Sequence, residues 1–139
     1  MKCCICGKEI KEIESNNALP IKDGRCCNEC NESVIDVRIK IATGLQTIKE
    51  RPNESYAVIL TPNDKVMLFK KEKGKFSLQE LQSMVGGYIE IYPYEYENYI
   101  FLVDEDGLIK ELEFNSLAYN LFNIKAVGNV VIVSKNMLN

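Results

Sequence analysis

The residues with the clearest capacity for chemistry are six cysteines, all of them between positions 3 and 30 of a 139-residue chain. They include two C-x-x-C pairs, Cys3-Cys4-Ile5-Cys6 and Cys27-Asn28-Glu29-Cys30, with twenty residues between the pairs. Four thiolates are the soft donor set that a tetrahedral Zn²⁺ takes, each sulfur about 2.3 Å from the metal. Two residues between cysteines let one tight turn aim both sulfurs at a single point. Gly7 and Asn31 follow the pairs, and both residue types tolerate a left-handed backbone after such a knuckle. The expected ligands are Cys3, Cys6, Cys27 and Cys30, holding one structural Zn²⁺. Cys26 could replace Cys27 with altered spacing, but Cys27 gives both knuckles the same geometry. Four protein ligands leave no place for the water that a catalytic zinc needs. Disulfides are disfavoured, because no export leader is legible. A redox dithiol needs only one pair beside a βαβ unit.

The elements that must position these sulfurs come next. Ser15–Pro20 and Asp23-Gly24 are turn material, and Ile21 and Lys22 between them read as a short strand. From Glu32 onward Val34, Val37, Ile41, Leu45 and Ile48 recur at three and four residues, which predicts one helical face. Cys27 and Cys30 stand at the start of that helix, whose positive end favours thiolates. Gly44 weakens its last turns. Arg51-Pro52-Asn53 ends it, since the residue before proline avoids the helical region. Residues 1–51 are therefore expected as a zinc-binding module. With so few apolar side chains before Val34, it depends on the metal to fold.

Residues 55–139 read as a second unit in β-β-α-β-β-β-α-β order. Tyr56–Leu60 and Val66–Lys70 are paired strands around a Thr61–Asp64 turn. Ser77 and Glu80 form a capping box, and Gly86-Gly87 stops the helix that follows. Tyr88–Tyr92 and Tyr99–Val103 are strands. Leu108–Glu113 alternates and is expected as the hairpin partner after Asp104–Gly107. Asn115 caps a short helix through Phe122, and Lys125–Ser134 closes the unit with a break at Gly128-Asn129. The fold class expected is α+β: a small four-cysteine finger, then a mixed or antiparallel sheet with two helices.

Composition narrows the function. The chain has no histidine, which removes the Ser-His and Cys-His pairs and every histidine-based metal site. Its net charge is −3, divided into +1 over residues 1–51 and −4 over 52–139. The second unit is thus a poor surface for nucleic acid. No apolar run approaches the roughly 18 residues of a membrane span, and a cytoplasmic location in a bacterial host cell is expected. The acidic run Asp104–Asp106 lacks the spacing of a calcium loop and reads as a solvated turn. Lys70, Lys71, Lys73 and Lys75 are interrupted by Glu72 and read the same way. Tyr88, Tyr92, Tyr94 and Tyr96 are candidates for a partner surface or for plain strand packing. Arg38 and Lys40, on the helix after the cysteines, are the basic residues that a nucleic-acid contact would use.

Three resemblances fit this reading. A knuckle, a short segment and a second pair opening a helix resemble a treble-clef zinc finger. Cys3–Lys8, Asn16-Asn17, Pro20 and Gly24–Asn31 resemble short zinc-binding proteins of phages and mobile elements. Ser77–Gln82, Val85-Gly86-Gly87-Tyr88-Ile89-Glu90, Asp104-Glu105-Asp106-Gly107, Asn115 with Ala118, and Gly128–Val131 resemble a domain family common in phage and conjugative-element proteins. The resemblance implies a phage or plasmid setting and no particular activity. The function expected is a non-catalytic binding protein with a host defence protein as partner. A zinc-finger nucleic-acid regulator and a nucleotide-signal sponge are the alternatives.

Overall fold

A computed structural model describes residues 1–50, 55–71, 74–94 and 96–135. Its architecture is α+β, with two antiparallel sheets and three α-helices. A two-stranded ribbon joins β1 (Asn16–Asn17) to β2 (Arg25–Cys26). Helix α1 (Asn28–Glu50) follows at once. A five-stranded sheet then forms from β3 (Ser55–Leu60), β4 (Val66–Lys71), β5 (Ile89–Ile91), β6 (Tyr99–Asp104) and β7 (Val130–Ser134), in the order β4-β3-β7-β6-β5. Helices α2 (Leu78–Val85) and α3 (Ser116–Phe122) lie in its connections.

Alternation along the strands makes two apolar faces, as period-2 geometry requires. Tyr56, Val58, Leu60, Phe101, Val103, Val130 and Ile132 share one buried cluster with Val34, Val37, Ile41 and Ile48 of α1 and Leu117, Ala118 and Phe122 of α3. Ala57, Ile59, Leu102, Val131 and Val133 face the other way, onto Leu81 and Val85 of α2 and onto Phe76. The sheet is therefore the middle of three layers.

The first cluster does not stop at the sheet. It runs on through α1 into Cys3, Ala18, Ile21, Cys26 and Cys27. One helix thus carries the cysteine segment at its start and closes a face of the sheet along its length. Gly44 sits where α1 comes nearest to β3. A Cβ there would meet Val58 Cγ2 at 2.7 Å, so the glycine permits the approach. The Tyr99 hydroxyl adds a tie by donating to the Leu45 carbonyl at 3.0 Å.

Several sequence expectations meet local chemistry of the kind foreseen. Ser77 Oγ accepts from the Glu80 N–H while the Glu80 carboxylate accepts from the Ser77 N–H, closing the capping box. Gly86 takes the left-handed C-cap at φ 94°. Other expectations need correction. Ile21-Lys22 is not a strand, and the ribbon forms from residues on either side of it. Leu108–Glu113 is not a hairpin strand but a run of turns. Asp104 accepts the Asp106 N–H on its side chain at 2.8 Å, and Lys110 N–H then donates to the Asp106 carbonyl at 2.9 Å. These local bonds wind the backbone before it can pair. The linker expected at Arg51-Pro52-Asn53 lies outside the described residues.

Candidate metal centre

The first knuckle is a small hairpin. Lys2 and Glu9 bridge, and Cys3 N–H donates to the Lys8 carbonyl at 2.8 Å. Gly7 turns the chain with φ 80°, and its N–H returns to the Cys3 carbonyl at 2.9 Å. The second knuckle repeats this bond, from Asn31 N–H to the Cys27 carbonyl, also at 2.9 Å. Here, however, the turn is the first turn of α1. Asn31 is helical and not left-handed as its residue type suggests.

Each knuckle also aims an N–H at its leading sulfur. Cys6 N–H points at Cys3 Sγ at 3.5 Å and Cys30 N–H at Cys27 Sγ at 3.4 Å. The matching geometry puts Cys27, and not Cys26, in the sulfur cluster. The sulfurs of Cys3, Cys6, Cys27 and Cys30 lie within 4.8 Å of one another, and those of Cys6 and Cys27 are 3.9 Å apart. Sulfurs around a tetrahedral zinc stand about 3.8 Å apart, given bonds of about 2.3 Å. Cys26 is fully buried in the core instead, and Cys4 packs against Gly24.

The electrostatics favour a cation among these sulfurs. Burial pushes the Cys3 thiol up, but backbone N–H groups of Cys6, Cys27 and Ile5 outweigh it and bring the group down to about 6. Burial, then the sulfurs of Cys27, Cys6 and Cys3, push Cys30 up. Four thiols this close cannot all ionise alone, because like charges oppose one another. A bound metal cation removes that conflict, and the all-sulfur donor set suits a soft or borderline ion. Burial is also the main reason that the Cys4 and Cys26 thiols are raised.

Three contacts anchor the centre to its surroundings. Cys4 N–H donates to the Arg25 carbonyl at 2.9 Å, tying the first knuckle to β2. Asn16 Nδ2 donates to Asn28 Oδ1 at 2.9 Å, tying β1 to the start of α1. Arg38 reaches back from α1, its Nε donating to the Leu19 carbonyl at 2.6 Å and its terminal nitrogen to the Asn17 carbonyl at 2.8 Å. Lys40 is exposed and pairs with Asp36 at 2.9 Å.

The candidate tyrosines are not brought together as one surface. Tyr88 is 66% exposed beside β5. Tyr94 and Tyr96 pack edge-on against Phe122, and Tyr96 stacks on Tyr99. Tyr92 is partly buried, and its hydroxyl accepts the Lys125 N–H at 3.2 Å.

A second polar assembly escaped the sequence reading. Asp104, expected in a solvated turn, is 6% exposed and ion-paired with Lys110 at 2.8 Å. Burial opposes its charge, yet the Lys110 hydrogen bond and the Asp106 N–H hold its carboxyl below the usual range. Gly87 makes room for the pair, since a Cβ there would stand 2.8 Å from Asp104 Oδ2. Asn115 caps α3 by accepting the Ala118 N–H, and its Nδ2 donates to the carbonyls of Leu60 and Gly128, both at 2.9 Å. Asn129 Nδ2 donates to the Met84 carbonyl of α2 at 3.0 Å. Only the capping bond is local enough to be foreseen from spacing.

Residues 55–137 match the family described as Domain of unknown function (DUF3846), and the chain belongs to that family. No curated protein and no solved structure matches the chain.

Proposed function

We propose that this family member is a non-catalytic binding protein, stabilised by one structural Zn²⁺ on Cys3, Cys6, Cys27 and Cys30, and that its partner is another protein. One observation carries the reading: the charged groups that would otherwise mark a reactive or nucleic-acid site are engaged by partners within the chain. Arg38 holds the loop before the second knuckle. Lys40 is paired along its own helix. Asp104 is held by Lys110, and Glu80 by Lys71 and the Ser77 backbone. The free surface is instead apolar and acidic around β5, where Tyr88 and Ile91 are exposed beside Glu90 and Glu105.

The closed donor set supports a structural metal, because all four tetrahedral positions are taken by protein. No helix among the described residues is long and apolar enough to cross a membrane. The resemblance of the cysteine segment and of the sheet's motifs to phage and mobile-element proteins supports a host defence component as the partner, met in the cytoplasm. Tagged full-length protein expressed in a bacterial host should retain a defined protein partner through a high-salt wash. It should shift neither DNA nor RNA in a gel at physiological salt. A tight, salt-sensitive shift without a protein partner would overturn the reading in favour of a nucleic-acid regulator.

A further inference from the structure

The sheet ends in β5, and the corner beyond it is built differently from the rest of its surface. Tyr88 accepts from the Glu105 N–H, and Tyr92 N–H donates to the Phe101 carbonyl. The even-numbered backbone groups therefore face β6. By the alternation of an antiparallel pair, the N–H and C=O of Ile89 and Ile91 face outward. No strand among the described residues lies beyond them.

The same corner carries a cleft of about 390 Å³, lined by Glu90, Tyr92, Glu105, Leu108, Phe114 and Lys125 among others. It opens on the sheet face that α3 covers, since Glu90 and Val103 are register partners that both line it and Val103 packs in the cluster of Leu117 and Phe122. Its walls are apolar and aromatic, and the carboxylates of Glu90 and Glu105 line it together with Lys125. Leu108 in its wall is 81% exposed, and Ile91, on the opposite face of β5, is 58% exposed. An open strand edge gives main-chain bonding, and a neighbouring pocket reads every second side chain of what binds there. Aromatic walls beside carboxylates suit a basic side chain.

We propose that β5 receives an extended basic and apolar segment of the partner protein as a sixth strand, with one Lys or Arg of that segment lying in the cleft beside Glu90 and Glu105. This rests on the protein-partner reading above and gives it an address. The other edge, β4, runs Val66–Lys71 with no acidic residue of its own to receive a basic side chain.

The probe is an eight-residue peptide alternating Lys and Val, with a Glu-Val peptide as control, added to the metal-loaded full chain. Amide exchange at Ile89 and Ile91 should slow at least tenfold with the Lys-Val peptide and not with the Glu-Val peptide. Ile91→Pro removes only an outward N–H, so it should abolish the protection while the amides of β6 and β7 stay protected. The double variant Glu90→Gln with Glu105→Gln should weaken peptide binding at least fivefold. Protection at Met67–Phe69 instead, equal binding of both peptides, or no protection at β5 would overturn the proposal. The broader reading fails separately. If the wild-type chain retains no protein partner in cells, that reading is wrong whatever the peptide does. If it retains one and Ile91→Pro retains it equally, the reading stands and this edge is wrong.

Discussion

The cysteine segment and the sheet solve the same problem by different means. Before α1 the buried groups are few and small: Cys3, Ala18, Pro20, Ile21, Cys26 and Cys27. Such a core cannot by its apolar area alone offset the ordering of about 27 residues. The sheet buries Phe101, Leu102, Leu60, Ile132 and four fully covered valines. Helix α1 belongs to both. Its first turn presents Cys30 to the cluster, while Ile41, Gly44 and Ile48 lie against the sheet. The difference teaches that a metal on the four sulfurs would support one end of a shared helix while packing supports the other.

The largest expected effect separates the two regions. Cys27→Ser with Cys30→Ser should abolish metal binding, worth about 10–16 kcal/mol in small structural zinc sites. Amides of residues 3–26 should then exchange freely while those of β3, β6 and β7 stay protected, as amide-exchange NMR would record. Loss of protection in the sheet as well would make the molecule one cooperative unit. Next comes Asn115→Ala, which strands the Leu60 and Gly128 carbonyls inside the core. Urea unfolding of the sheet should fall by about 3–5 kcal/mol, with metal content unchanged. Gly44→Ala probes the joint itself. A Cβ at 2.7 Å from Val58 Cγ2 overpacks the contact, at about 1–3 kcal/mol, against a gain of about 1 kcal/mol in helix propensity. A net loss of up to about 2 kcal/mol is expected in thermal unfolding, and a stabilised protein would show that α1 and β3 can separate freely.

The smallest effect is a pH dependence confined to the sheet. Asp104 and Glu80 are both held below their ordinary values, Glu80 to about 2, chiefly by its Lys71 hydrogen bond. A carboxylate with a depressed native pKa binds fewer protons folded than unfolded. Its stabilising contribution is present above the unfolded value and fades as pH falls through the native one. The sheet should therefore lose stability on acidification below about 4, as the unfolded chain's carboxylates take up protons. Lys110→Met should remove the Asp104 part of that slope, which a series of urea titrations against pH would resolve.

What could be read from the sequence was local. The capping box at Ser77 and Glu80, the glycine cap at Gly86 and the Asn115 cap all act within four residues, so spacing reveals them. The two C-x-x-C pairs were legible because a knuckle is itself a local turn, and the spacing of its two sulfurs follows from that turn. The misses involve contacts that residue spacing alone does not reveal. Gly44 looks like a weak point of α1 until Val58 is seen against it. Arg38 looks like a free cation until the Asn17 and Leu19 carbonyls appear beneath it. Leu108–Glu113 alternates like a strand, yet the Asp104 side chain captures the backbone and turns it. Asp104 itself reads as solvated because nothing in a linear pattern shows Lys110 folding back over Gly87.

The central claim is a closed, all-sulfur centre that serves the fold. X-ray absorption on the zinc-loaded protein tests it most directly. The account predicts four sulfur neighbours at about 2.3 Å and no oxygen or nitrogen in the coordination sphere. Three sulfurs with one oxygen at about 2.0 Å would contradict it, because a water-bearing position would make the centre a place for chemistry.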